Sequence, residues 1–194
     1  MHKGCFLELS TGGSGNIVAN AREVFADYPQ IEVDSASSAW TRLRFQPTSE
    51  SRERVTGYVR TELADLPADL CEHLAMAVDE LLGNAMEHGS SFNPEGKIEF
   101  SLVRTPRVLL FKIGDAGPGF SLNAIAHAAV SNPPEEPLRH TQFRNELGMR
   151  PGGFGILLVK QIADELIYNE RGNEVVLVKF LDPLAVGCNA TGPK

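Results

Sequence analysis

The sequence predicts a two-layer α/β sandwich of the α+β kind, in which helices cover one face of a mixed, mostly antiparallel sheet. Segments with strand or helix periodicity follow one another in the order β-α-α-β-β-(α, loop)-α-β-β, and neighbouring strands joined by short turns favour antiparallel pairing. The chain has 194 residues, of which 42% are hydrophobic. It is therefore long enough to bury one core and to carry extra segments.

The first regular strand and helix are predicted from residue 40 onward. Residues 41–45 alternate between apolar or hydroxyl side chains and arginine, which is typical of a half-buried strand. Ser49 or Ser51 can cap the helix that follows, and Pro67 closes it. The residues of this helix that recur at helical spacing are Val55, Val59, Leu63 and Leu66.

A second helix is predicted from about Asp69 to His88, with Gly89 as its terminator. Two strands follow at 97–103 and 108–113, joined by a short turn. The apolar stripe of the helix consists of Leu70, Leu74, Val78, Leu81 and Ala85.

The second half of the chain is predicted to begin with a short helix over 122–130. The irregular stretch 131–151 follows, and a loop of this length in a compact domain is usually functional or mobile. The chain then continues with a helix over 154–163 and strands over 165–169 and 174–181.

The main domain is expected to span residues 39–183, between an N-terminal extension or linker over 1–38 and a C-terminal tail over 184–194. Residues 28–33 could also form a turn and a strand. A second interpretation therefore stays open, in which the first forty residues are an integral βαβ-like unit.

Charge and composition exclude several classes of protein. The formal net charge is −7, so the chain lacks the electrostatic footprint expected for direct nucleic-acid binding. Its 3 cysteines are an odd number and lie far apart in the sequence. This pattern disfavours a disulfide scaffold and a structural zinc site. No apolar run approaches the roughly 18 residues of a membrane span. We therefore expect a cytoplasmic protein without membrane contact.

The second predicted helix carries the first candidate site residues. Glu80, Asn84 and His88 are spaced at i, i+4 and i+8 and would share one edge beside the apolar stripe. A carboxamide oxygen is a hard ligand for Mg²⁺, and a carboxylate one turn away can orient or deprotonate a hydroxyl. Alone, such an edge is more typical of a solvated helix face. Asp79 and Glu72 are interpreted as solvated charges.

Two glycine-containing segments carry the remaining candidates. Asp115, Gly117 and Gly119 follow the strand 108–113, where a carboxylate would accept a hydrogen bond from a donor such as an exocyclic amine. Residues 150–155 open a helix, where exposed backbone N–H groups form an anion site. Alone, the first segment is also typical of a tight turn and the second of a hinge.

In this order, the segments 80–88, 115–119 and 152–155 resemble the nucleotide-binding boxes of the ATPase superfamily that contains gyrase, heat-shock chaperones, histidine kinases and mismatch-repair proteins. The resemblance covers roughly residues 40–182 and implies the Bergerat ATP-binding fold. Within this superfamily, the short single domain and the sequence of its boxes look most like the anti-sigma-factor serine/threonine kinases of bacterial partner switches.

The resemblance implies ATP and Mg²⁺ as cofactors and assigns a role to each matched residue. Glu80 would be the general base, Asn84 the Mg²⁺ ligand, and Asp115 the acceptor for the adenine amine. The stretch 131–151 matches the lid over ATP. The other cofactor-binding positions that it implies are His88, Gly117, Gly119, Arg150, Gly152, Gly153, Phe154 and Gly155.

The implied function is an Mg·ATP-dependent serine/threonine kinase that phosphorylates a small antagonist protein and binds a sigma factor or similar client, in signalling that regulates transcription. Since family members are often dimers, a homodimer is a further expectation. The last hairpin departs from the family, because it has Glu174 where a Thr is common. We expect adenine contacts to differ there.

Two alternatives stay open. One is a non-catalytic, ATP-gated protein-binding module, although such a module would not need a base at Glu80. The other is a histidine kinase catalytic domain, which would need a separate helical hairpin with an exposed phosphoacceptor histidine. The first forty residues contain only His2, which disfavours this alternative.

Overall fold

The structure is a computed structural model that describes residues 20–89, 93, 95–119, 136, 146 and 155–182. Its strands form one six-stranded sheet in the order β1-β2-β3-β4-β6-β5, and every neighbouring pair is antiparallel. The predicted fold class, a sheet with helices, is confirmed. The strands are β1 (Ile31–Ala36), β2 (Trp40–Phe45), β3 (Ile98–Arg104), β4 (Val108–Asp115), β5 (Glu165–Tyr168) and β6 (Glu174–Phe180).

Four α-helices lie within the described residues, and the third continues into a π-helical turn over Ala85–Gly89. The predicted helix over 122–130, nearly all of the predicted loop 131–151 and the tail 184–194 lie outside the described residues. The helices are α1 (Ala21–Val24), α2 (Ser49–Glu62), α3 (Ala68–Asn84) and α4 (Gly155–Ile162).

The core lies between the helices and one face of the sheet. Alternate residues of β2, β3 and β4 are fully buried, as the period of two in a half-buried strand requires. Phe100 and Phe111 from β3 and β4 lie with ring centroids 6.5 Å apart. They share a core with buried α2 and α3 side chains, among them Val55, Val59, Leu74, Val78 and Leu82.

The start of α2 differs from the prediction in its capping residue. Thr48 is the N-cap, because its hydroxyl oxygen accepts a hydrogen bond from the backbone N–H of Ser51 at 3.1 Å. Ser49 is the first helical residue, and Ser51 is the partner of the cap. The helix ends at Glu62, well before Pro67, which stands directly before α3.

Residues 20–36 belong to the sheet domain. β1 pairs with β2 in antiparallel register, with Ile31 opposite Phe45, and the side chains of Phe25 and Ile31 are buried in the core. The predicted domain start at residue 39 therefore lies after the first strand of the sheet. This strand is a hairpin partner of β2 and not part of a parallel βαβ unit.

Two residues of α2, Arg52 and Thr56, form hydrogen bonds to Asp79 of α3, the residue directly before the candidate base. Arg52 donates to both carboxylate oxygens of Asp79, at 2.8 and 2.6 Å, and Thr56 donates to the same carboxylate at 3.1 Å. The hydrogen bonds to Asp79 raise the pKa of Arg52 above its ordinary value. The interpretation of Asp79 as a solvated charge was therefore wrong: it positions α3 one residue before Glu80.

We expect Arg52→Met to lower the free energy of unfolding by about 1–2 kcal/mol, since it leaves a half-buried carboxylate without its bidentate partner. Arg60→Met is the matched control, because Arg60 also joins α2 to α3 through Glu72 but is more exposed; it should cost at most about 0.5 kcal/mol. Urea unfolding of both variants measures the difference. Equal losses would contradict the structural role of the Arg52 pair.

Candidate nucleotide-binding site

The C-terminal end of α3 and the turn after it carry three predicted site residues, Glu80, Asn84 and His88, but with a change of helical pitch. Glu80 and Asn84 lie one turn apart within α3, as predicted. The π-helical turn that follows contains His88, so its position is not that of a continuous α-helix. Such turns use i→i+5 hydrogen bonds and occur often at functional sites. His88 is exposed and faces the same cleft as Asn84.

An open cleft lies among the end of α3, the end of β4 and the hairpin that joins β5 to β6. It brings together four predicted residues: Asn84, His88, Asp115 and Gly119. Its wall is mostly apolar, which suits a flat heterocycle with a few polar contacts at the edge. The remaining lining residues are Leu81, Ala85, Gly89, Ile113, Tyr168, Gly172, Asn173, Glu174 and Val175.

Close backbone contact explains two glycines beside the cleft. A Cβ on Gly89 would overlap the carboxyl group of Asp115, and a Cβ on Gly117 would overlap the carbonyl oxygen of Gly89. Gly89, the predicted terminator of the helix, is the last residue of the π turn, but its backbone is not left-handed. It is needed because the helix end packs directly on Asp115.

Asp115 is the last residue of β4, so its carboxyl group stands at the sheet end, as predicted. One carboxylate oxygen accepts the backbone N–H of Gly117 at 2.7 Å. Burial raises the pKa of Asp115 above its ordinary value. The hydrogen bond from Gly117 and the positive charge of Arg171 lower this pKa by a smaller amount. A half-buried carboxylate with further acceptor capacity suits a ligand that donates a hydrogen bond.

Asn84 has a buried side-chain nitrogen with no hydrogen-bond partner among the described residues. Buried polar atoms are nearly always paired, so such an atom marks a place where a ligand or water is expected. The described residues contain no cluster of three His, Cys, Asp or Glu side chains that could hold a metal. The unpaired nitrogen is a donor and suits an acceptor such as a phosphate oxygen, whereas a metal ion would be held by the carboxamide oxygen of the same side chain.

Glu80 lies against the start of α4. A Cβ on Gly155 would overlap its carboxylate oxygen Oε2, so the candidate base touches the first residue of the helix that the glycine-rich segment opens. Glu80 does not line the cleft itself. Its contact with Gly155 places it against the last residue of the predicted phosphate-binding segment 152–155.

Four predicted ligand contacts, Arg150, Gly152, Gly153 and Phe154, lie outside the described residues and stay predictions. Tyr168 and Asn173, which also line the cleft, were not predicted from the sequence. Burial raises the pKa of Tyr168 to about 12, so it is a neutral phenol. An apolar strand ending in Tyr was the available signal for Tyr168.

The end of α3, the end of β4 and the turn between β5 and β6 thus enclose one cleft. Comparison with protein families identifies the class of domain that carries it: the model of the histidine kinase-like ATPase domain matches residues 45–179. The chain belongs to this family, which implies the use of ATP. Within the described ranges, every helix is too short or too polar to cross a bilayer.

One curated relative refines the comparison. The serine-protein kinase RsbW of Oceanobacillus iheyensis is 29% identical over 111 residues, which cover 57% of this chain and 65% of the relative. The chain thus spans less than two thirds of the length of that relative. The similarity agrees with the match to the histidine kinase-like ATPase domain.

Proposed function

We propose that this protein is an Mg·ATP-dependent serine/threonine protein kinase of the anti-sigma regulatory type. The observation that carries the proposal is the placement of Glu80 against Gly155, one turn from Asn84 and next to the cleft that contains Asp115. Family membership and the likeness to a serine-protein kinase support it. The proposed partners are a small antagonist protein as substrate and a sigma factor or similar client.

The proposed reaction needs positioning and charge stabilisation more than covalent chemistry, as is general for phosphoryl transfer. Asp115 would accept a hydrogen bond from the adenine amine and fix the base. Asn84 would hold Mg²⁺ through its carboxamide oxygen, and the ion would neutralise charge on the phosphates. Glu80 would accept the proton of the serine hydroxyl. The serine oxygen would then bond to the γ-phosphorus as the bond between that phosphorus and the β–γ bridging oxygen breaks, which releases ADP.

ATP binding tests the foundation of this proposal. We expect Asp115→Ala to weaken ATP binding by about 10–100-fold, because it removes a charged acceptor from a half-buried position. Asp27→Ala, which changes an exposed aspartate, should leave the affinity unchanged. Titration calorimetry with Mg·ATP on folded proteins measures both. A well-folded wild type that binds no ATP would refute the proposal.

A further inference from the structure

The turn between β5 and β6, residues 169–173, closes one side of the cleft and is built on one side chain. The Oδ1 atom of Asn169 accepts the backbone N–H groups of Gly172 at 2.7 Å, Asn173 at 3.1 Å and Glu174 at 3.3 Å. A side chain that accepts three successive N–H groups fixes the shape of such a turn. The turn is therefore a wall of the cleft whose shape the side chain of Asn169 determines.

This turn changes how the ladder between β4 and β6 ends. The register that pairs Gly114 with Glu174 places Asp115 opposite Asn173, and the N–H of Asp115 donates to the carbonyl of Asn173 at 3.0 Å. A hydrogen-bonded antiparallel pair normally returns a second backbone bond. Here the N–H of Asn173 is directed to Asn169, and the side-chain Nδ2 of Asn173 donates to the carbonyl of Asp115 instead, at 2.9 Å.

The orientation of the Asn173 amide is also determined by Asn169. The Nδ2 atom of Asn169 donates to Oδ1 of Asn173 at 2.9 Å. Because a carboxamide has one accepting and one donating end, this bond turns the donating end of Asn173 toward Asp115. The two asparagines thus form a chain of hydrogen bonds that ends on the backbone of Asp115.

Residues 118 and 119, at the other end of the segment 115–119, also contact this turn. Arg171 donates through Nε to the carbonyl of Pro118 at 3.3 Å. Gly119 has φ of 78°, and a Cβ there would overlap the carbonyl of Arg171. The turn therefore holds the segment 115–119 at both ends.

We infer that Asn173, oriented by Asn169, is a positioning residue that directs the carboxyl group of Asp115 and so determines selectivity for a base with an exocyclic amine. Asn173 acts through the backbone of Asp115, because its amide donates to the carbonyl of that residue and not to its side chain. The inference rests on the proposed role of Asp115 in adenine binding.

Affinities for ATP and for inosine triphosphate, which has a carbonyl in place of the amine, test it. We expect Asn173→Ala to lower the preference for ATP about tenfold, mainly through weaker ATP binding. Asn169→Asp keeps the oxygen that accepts three N–H groups but loses the donor to Asn173. It should lower the preference in the same direction with Tm within about 2 °C of wild type. In the Asn173→Ala background, Asn169→Asp should not change the preference further.

The outcomes separate this inference from the proposal beneath it. A wild type that binds ATP and inosine triphosphate equally would refute the role of Asp115 itself. A wild type that prefers ATP, with the preference lost in Asp115→Ala but kept in Asn173→Ala and Asn169→Asp, would overturn only the positioning role. Equal weakening of both nucleotides would also overturn it, since general loosening does not distinguish the bases. If Asn173→Ala does not fold, Asn169→Asp alone decides.

Discussion

Replacing Glu80 with Gln is expected to reduce phosphoryl transfer by about 10²–10⁴-fold, the usual contribution of a positioned general base. The amide of Gln is nearly isosteric with the carboxylate, so the contact with Gly155 is preserved. What is lost is the ability to accept a proton from the serine hydroxyl. The affinity for Mg·ATP should stay within about threefold of wild type, because Glu80 does not line the cleft.

Single-turnover transfer from γ-labelled ATP to a serine-containing candidate antagonist measures the rate, and calorimetry measures nucleotide affinity. Glu87→Gln is the matched control, because Glu87 is exposed on the same helix end and should transfer phosphate at the wild-type rate. A Glu80→Gln variant that transfers at the wild-type rate would remove Glu80 from the mechanism. A wild type that binds ATP but transfers to no antagonist would favour the non-catalytic binding module.

The sequence was most informative where one periodicity fixed a whole element. Alternation located β2, β3 and β4 to within two residues, and helical spacing placed Asn84 beside the apolar stripe. Because Asp115 follows an apolar strand, its place at the sheet end was predictable. Each of these elements buries one face. Hydrophobic burial therefore determines where the element lies, and the spacing of apolar residues in the sequence predicts it.

Features that depend on backbone contacts between distant segments could not be predicted in this way. The π-helical turn over Ala85–Gly89 inserts a wider pitch that residue spacing does not show. The role of Asn173 arises because a ladder bond is replaced by a side chain, which depends on the register of β4 and β6. The partner of Asp79 lies 27 residues away, so this ion pair could not be predicted from the α3 sequence alone.

The N-terminal segment shows why an edge strand is difficult to recognise. β1 is half exposed and contains Glu32 and Asp34. Both carboxylates form ion pairs with Arg44, and Glu32 forms a second one with Lys97. Charged side chains are common on edge strands because they discourage pairing with another chain. The same charges weaken the alternating pattern, so the sequence favoured an extension over a strand.

Phe25 provides the decisive test of whether this segment is part of the folding unit. Its side chain is 4% exposed, and its ring lies 5.3 Å from that of Tyr58 on α2 at 57°. We expect Phe25→Ala to lower the free energy of unfolding by about 3–5 kcal/mol, because it leaves a cavity between the segment and α2. This is a large fraction of the roughly 5–15 kcal/mol that stabilises a typical domain.

Guanidinium unfolding of Phe25→Ala measures this loss, with Trp40→Ala as an aromatic control. Trp40 is 46% exposed, so its removal should cost about 1 kcal/mol or less. A loss for Phe25→Ala no larger than for Trp40→Ala would mean that residues 20–36 only rest on the domain, as an extension would. The larger loss is expected because Phe25 packs in the same core as Phe45 and Tyr58, so the segment and the sheet should unfold together.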